Sequence, residues 1–302
     1  MKQDSVLIVG SMAFDDLELP TVSAKNVVGG AATFASMAAS LFSPARIVAI
    51  VGEDFETAQI EALQKRGIDT DGVERVPGKT FRWAGRYDAN LASRTTLDTQ
   101  LNVFANFRPR LPHSYRSSEY LLLANIHPGL QLEVLDQVER PKAVFADTMN
   151  YWISGEPEAL AKVLARVDVL VINDEEARQL AGEYALPKAA KSILRMGPKS
   201  LIIKRGEHGA LLIDAAGMFW VPAVVLEEVI DPTGAGDTFA GALIGHLAST
   251  GDLSPAGLRR SLFVGAAVAS YCVQAVGTAK LARLTREDVA ARLVQLEQLT
   301  QL

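Results

Sequence analysis

Cysteine is almost missing from this chain: Cys272 stands alone, so no internal disulfide can staple the fold. It lies in the apolar stretch FVGAAVASYCVQAV, where a buried structural thiol is expected. The four histidines, His113, His127, His208 and His246, are widely spaced and there is no CxxC pair, which excludes a structural zinc site of ordinary ligand spacing. A reducing, cytoplasmic setting fits this cysteine usage. Positive charge is not in excess either: 30 Lys and Arg stand against 35 Asp and Glu, a net charge of −5, with the basic residues scattered. Nucleic acid is therefore not an expected partner. Long hydrophobic runs are also lacking. The apolar run in MKQDSVLIVGSMAF is too short for a signal peptide, and Asp4 interrupts the basic start that one needs. The stretch from Leu262 to Val276 holds Ser270, Tyr271 and Gln274 and falls short of the ~20 residues of a membrane span. It reads as a buried helix, and no membrane partner is expected.

What the chain does have is a rhythm. Apolar, strand-like runs occur at 6–10 (VLIVG), 46–52 (RIVAIVG), 120–125 (YLLLAN), 142–147 (KAVFAD), 167–173 (VDVLVIN) and 200–204 (SLIIK). Segments of helical spacing such as GLQLEVLDQVE, EPEALAKVLARV and DEEARQLAGEY lie among them. That alternation predicts an α/β fold, a mostly parallel sheet covered by helices on both faces. Two regions break it: Met12 to Val28, without helical period, and Phe81 to Phe104, rich in Thr and aromatics, which predicts two antiparallel strands. No repeat or Pro/Gly/Ser linker divides the 302 residues, so the expectation is one domain over 1–302 with a small β lid formed by about 12–28 and 79–107.

The chemistry concentrates in DPTGAGDTFAGAL, Asp231 to Leu243. Phe239, Leu243 and Leu247 form the apolar stripe of a helix beginning near Ala235, which places Gly234 and Gly236 at its N-terminus. Unpaired backbone N–H groups and the helix dipole attract anions there, and glycine lets a ligand approach the main chain. Asp237 falls in the first turn, where the dipole is expected to lower its pKa. An ionised carboxylate beside an anion cradle suits phosphoryl transfer to an alcohol. The alternative is a capped turn in which Asp237 merely answers the dipole.

Other segments carry a structural and a functional reading side by side. Asn173 and Glu176 fit a capping box, or could orient Mg²⁺ through its waters. KRGEHGALL, Lys204 to Leu212, is a hairpin in which Lys204 and the main chain at Gly206 and Gly209 could meet phosphates. Gly29 and Gly30 precede a small-residue helix, suited to close packing or to a substrate hydroxyl. Asp15 follows the first strand, the usual place for ligand contacts in an open α/β sheet. GVERVPGKT at 72–80 is a near miss to a Walker A loop, with five residues between its glycines instead of four. No GxGxxG dinucleotide fingerprint follows Gly10, and Phe239 takes the third-glycine position after Gly234 and Gly236.

In this order, GGAATFA, NDEEA, KRGEHGA and DPTGAGDTFAGAL resemble the ribokinase-like, or PfkB, family of carbohydrate and nucleoside kinases over nearly the whole chain. The resemblance implies a three-layer α/β/α sandwich with a small β lid, ATP as donor and Mg²⁺. It implies Asp237 as the base that deprotonates a primary hydroxyl, with Gly234, Ala235 and Gly236 as the anion hole. Asn173 and Glu176 match the element that organises Mg²⁺ and phosphates. Lys204, Gly206, Gly209 and Gly277 fall on the ATP side, and Asp15, Gly29 and Gly30 on the acceptor side. Asp231 and the Thr233 carbonyl match a site for a K⁺-like cation in some members. The chain departs from ribokinases at Ala13, Ala31 and Phe34, where polar partners of a furanose are lost. Phe34, Phe81 and Trp83 could stack on a base or cover a sugar face, Arg82, Arg86 and Arg94 could instead meet the phosphate of a phosphorylated sugar, and each could equally be lid packing or a solvated face. The expected activity is ATP-dependent phosphorylation of a small carbohydrate. The alternatives are a nucleoside acceptor or a non-catalytic sensor on the same fold. Exposed lid strands could pair two copies into a homodimer.

Overall fold

The computed structural model describes residues 4–301. Nine strands form one sheet in the order β13-β12-β11-β10-β9-β8-β1-β4-β5. Their ranges are β1 Val6–Val9, β4 Ala45–Val51, β5 Ile68–Arg75, β8 Tyr120–Leu123, β9 Ala143–Ala146, β10 Val169–Asn173, β11 Ser200–Lys204, β12 Ala210–Asp214 and β13 Gly217–Val221. From β11 to β5 the pairing is parallel; β12 and β13 close the other end antiparallel. The central strands β1, β8 and β9 bury every residue, which is why they read as unbroken aliphatic runs.

Alternate side chains of one strand feed two cores. Val6 and Ile8 of β1 face the helices Ala31–Ala39, Ala235–Thr250 and Pro255–Cys272, packing with Phe34, Leu243 and Leu262. Leu7 and Val9 face the helices Pro128–Leu135, Pro157–Leu164 and Leu186–Leu194, packing with Leu135, Val163 and Ile193. This two-residue period across a sheet covered on both faces is the predicted sandwich. Cys272 is buried in the first core.

All six expected apolar strands are present. β5 is the strand that periodicity passed over, because Asp69, Asp71, Glu74 and Arg75 interrupt any apolar run on this sheet edge. Gly72 of the near-miss phosphate loop lies inside it.

A second sheet has four strands in the order β3-β2-β6-β7: β2 Ala13–Glu18, β3 Ser23–Gly29, β6 Phe81–Tyr87 and β7 Arg94–Gln100. β6 and β7 form the expected antiparallel pair, and β2 joins β6 in parallel. Its own core is slight, Leu17, Leu19 and Tyr87 with Val27, Trp83, Leu91 and Val276 around them. Among the described residues, no helix is long and apolar enough to cross a membrane.

Candidate active site

The chain order of the large sheet reverses between β1 and β8, and the carboxyl ends of the parallel strands open a crevice beside that point. Those ends carry the site. Ser11 follows β1, Asp147 follows β9, Asn173 ends β10 and Lys204 ends β11.

The helix Ala235–Thr250 points its N-terminus at this row. Gly234 caps it in the left-handed region, φ 74°, and a Cβ there would run into the Phe34 ring. Only glycine fits this turn. The amides of Gly234 and Gly236 donate to no acceptor among the described residues, whereas the Ala235 amide reaches the Pro232 carbonyl at 3.2 Å. A Cβ on Gly236 would lie 3.0 Å from Lys204 Nζ, so the lysine ammonium sits against the same turn. Two free N–H groups, a helix terminus and an ammonium therefore converge on one spot.

Lys204 Nζ lies 3.0 Å from Asp147 Oδ2 in an ion pair that is nearly buried. Burial opposes the lysine charge, but Asp147, Glu176 and Asp237 together hold its pKa above the ordinary value. Asp147 had drawn no attention in the sequence, although an aspartate at the carboxyl end of an apolar strand is a signal of its kind. Its other oxygen accepts from the Thr148 amide at 2.8 Å. Gln131, fully buried, donates to the carbonyls of Ala124 and Asp147, both at 3.0 Å, and so fixes the ends of β8 and β9 together.

Asp237 does not show the lowered pKa that the dipole suggested. Burial comes first and Asp147 second, and against Lys204 and Arg94 they push it up to about 6. It remains mostly ionised at neutral pH, as a basic carboxylate. Asn173 and Glu176 form the full capping box: Glu176 N donates to Asn173 Oδ1 at 2.7 Å and Asn173 N to Glu176 Oε2 at 2.8 Å. Burial and then Asp147 push Glu176 up to about 7, with Lys204 opposing. Among the described residues no hydrogen bond to Glu176 Oε1 accompanies the cap, and Asp147 and Lys204 are the charges nearest this carboxyl.

Asp231 is fully buried and works as a tie. Its Oδ1 accepts from the Thr233 amide at 2.9 Å and its Oδ2 from the Gly277 amide at 2.8 Å. Among the described residues it has no cationic side chain in ion-pair range. Thr233 Oγ1 in turn lies 2.9 Å from the Tyr87 hydroxyl, which fastens the small sheet to the glycine turn. Tyr87, like Asp147, lay outside the residues singled out in the sequence.

Asp15, on β2, is buried against Gly29 and accepts no hydrogen bond among the described residues. Burial, then the charges of Asp231, Asp237 and Asp16, push it up to about 7. Gly30 caps the helix Ala31–Ala39 against the Ser11 carbonyl. Gly206 stands in open space just beyond Lys204, while Gly209 packs on the backbone of Val221 to Ala223. Phe34 is 1% exposed beneath Gly234 and is not available to stack on a ligand. Next to Ile230 a cavity of about 420 Å³ opens, lined in part by Val225, Leu226, Glu227, Glu228 and Gln274.

The geometry therefore brings Asp237, the glycine turn, Lys204, Glu176 and Asp15 to one crevice. The model of the pfkB family of carbohydrate kinases matches residues 3–284. The chain belongs to that family. Among relatives of this pfkB-family kinase, a cytidine kinase of Thermococcus kodakarensis is 27% identical over 244 residues, 79% of this chain and 87% of the relative. A deoxyribokinase of Salmonella typhi is 28% identical over 263 residues, 83% and 82% of the two chains. In fold, a structure described as a ribokinase II from E. coli in complex with ATP and Mg²⁺ superposes with a TM-score of 0.79 at 20% identity, covering 97% of this chain and 99% of that one. The chain is a ribokinase-family sugar or nucleoside kinase, a phosphotransferase with an alcohol group as acceptor.

Proposed function

We propose that this kinase transfers the γ-phosphoryl group of ATP to a primary hydroxyl of a small carbohydrate, with Asp237 as the base. The observation that carries the reading is the convergence of a half-buried carboxylate of raised pKa with two free amides and an ammonium at one helix N-terminus. The acceptor hydroxyl gives its proton to Asp237 while its oxygen attacks the γ-phosphorus. The Gly234 and Gly236 amides and Lys204 take up the charge on the moving group. Asp15, buried and without a donor of its own, is free to accept hydrogen bonds from acceptor hydroxyls beside Gly29 and Gly30.

The described residues include no cluster of three metal-binding side chains. Mg²⁺ needs none, since it keeps several waters and binds chiefly to phosphates. Glu176 Oε1 suits its hydration shell, and the ion would supply charge neutralisation on the phosphates. A K⁺-like cation near Asp231 and the Thr233 carbonyl is supported by a fully buried carboxylate without a cationic partner among the described residues. Gly206, in open space beyond Lys204, is free for ATP phosphates to approach, and the cavity of about 420 Å³ at Ile230 is of a size for the base. The small sheet acts as a lid that excludes water. β7, exposed along its whole length, offers an edge for a homodimer. A cytoplasmic setting accords with ATP as donor.

A nucleoside acceptor is the second reading, favoured by the likeness to a cytidine kinase. The test is ADP production from Mg·ATP with panels of free sugars, phosphorylated sugars and nucleosides. Asp237→Asn is expected to lower turnover by a factor on the order of 10³ while ADP affinity stays within a few-fold. Because the base must be ionised, turnover rises with pH through about 6. Substantial turnover by the variant would remove Asp237 from the mechanism.

A further inference from the structure

The match to the family model ends at residue 284, and the helix Arg286–Thr300 follows it. Val289, Leu293 and Leu296 make its inward stripe, with Val289 and Leu296 buried in the first core and Leu293 packed against it. Two further devices fix its start. Thr285 and Asp288 form a capping box, and Arg286 donates to the carbonyls of Leu41 and Phe42. A helix anchored in this way can hold a side chain in a set position.

That side chain is Arg292, which lies beside the stripe, three residues after Val289 and four before Leu296. It lines the cavity at Ile230 together with Gln274, Glu227 and Glu228. Its guanidinium lies 4.3 Å from the centroid of the Tyr271 ring, and its Nη2 donates to Gln274 Oε1 at 3.4 Å. Tyr271 is held in turn, its hydroxyl donating to the Asp288 carbonyl at 2.9 Å. Other arginines of the C-terminal helices are spent elsewhere: Arg260 pairs with Asp252, and Arg259 lies over Phe219. Arg292 forms no ion pair among the described residues, although two carboxylates line the same cavity. Its Nη1 makes no hydrogen bond among them either. An aromatic face thus holds a cation at the cavity with donor capacity left over, beside carboxylates that can only accept.

Resting on the kinase reading and on the base cavity proposed above, we infer that Arg292 is a specificity-determining residue for the phosphoryl donor, reading the edge of its base. Adenine presents a ring nitrogen that accepts, N1, next to a 6-amino group that donates. A guanidinium for N1 and a carboxylate of Glu227 or Glu228 for the amine complement that edge. Hypoxanthine reverses it, with N1–H a donor and the 6-oxo group an acceptor, so the cation would face a proton and the carboxylate an oxygen. The helix that follows the family-matched region would therefore decide which purine the kinase prefers.

The test needs neither acceptor nor turnover. Mg·ADP and Mg·IDP, the inosine analogue, are titrated calorimetrically on the wild type, Arg292→Ala, Arg292→Lys and Val294→Ser, a change on the exposed side of the same helix. Wild type and Val294→Ser are expected to prefer Mg·ADP by a factor on the order of 10. In Arg292→Ala, Mg·ADP weakens by a factor on the order of 10 while Mg·IDP changes by about twofold or less, and Arg292→Lys recovers only part of the preference. An undiminished preference in Arg292→Ala, equal weakening of both nucleotides, or no preference in the wild type would overturn the inference and leave the kinase reading standing. Failure of the wild type to bind either nucleotide would overturn both.

Discussion

The two sheets of this molecule are built on opposite terms. In the large one, β1, β8 and β9 bury every residue, and the charges of the site stand at the ends of strands that cannot shift without disturbing two cores. In the small one, β7 exposes every residue, and three buried side chains make up the core. The groups that must hold a geometry, Lys204, Asp147, Glu176 and Asp237, are anchored on the large sheet or on the helix packed against it. Groups that would meet the acceptor, Asp15 foremost, are on the sheet that gives way more easily. Stiffness is placed where charge is concentrated, and compliance where a ligand must enter.

Substitutions can break that contrast, and the largest effect is expected on the stiff side. Lys204→Ala leaves Asp147 buried without its cation, and chemical denaturation is expected to show a loss of about 3 kcal/mol together with loss of turnover. A smaller loss would mean that Asp147 relaxes to solvent. Asp15→Asn works in the opposite direction. A carboxyl raised from 3.8 to about 7 in the folded protein binds its proton more tightly there than in the unfolded chain. Stability is therefore lost as pH rises from about 4 through 7. Removing the charge is expected to raise stability at pH 8 by an amount on the order of 3 kcal/mol, with the gain fading toward pH 4, while acceptor phosphorylation is lost. Thermal melts of the two proteins across that range would decide it.

On the compliant side the effects shrink. Tyr87→Phe deletes the single hydrogen bond from the small sheet to Thr233 and is expected to cost about 1 kcal/mol of seating. It should read as a several-fold fall in kcat/KM with little change in melting temperature. Leu97→Ser, on exposed β7, is expected to move stability by less than about 0.5 kcal/mol. A larger, concentration-dependent change in sedimentation would instead show that the strand pairs with a second copy.

What could be read in advance follows the same division. The buried strands announced themselves as aliphatic runs, and the glycine turn as the start of the helix that carries Asp237, because local chemistry forces those patterns. β5 did not, since its edge position tolerates Asp69, Asp71 and Glu74. The Lys204–Asp147 pair joins residues 57 positions apart, and only the folded sheet brings them together. The direction of the Asp237 shift was misjudged for a related reason: the dipole is local and visible in sequence, whereas burial and Asp147 arrive from elsewhere in the fold. The buried place of Phe34 beneath Gly234 likewise depends on two helices meeting.

The tie at Asp231 has one more consequence. Through Thr233, Gly277 and Tyr87 it gathers three distant stretches of chain at a single fastening. Because the small sheet has the slighter core, warming is expected to loosen its link before either large core melts. Activity is then expected to fade on heating before the bulk of the protein unfolds.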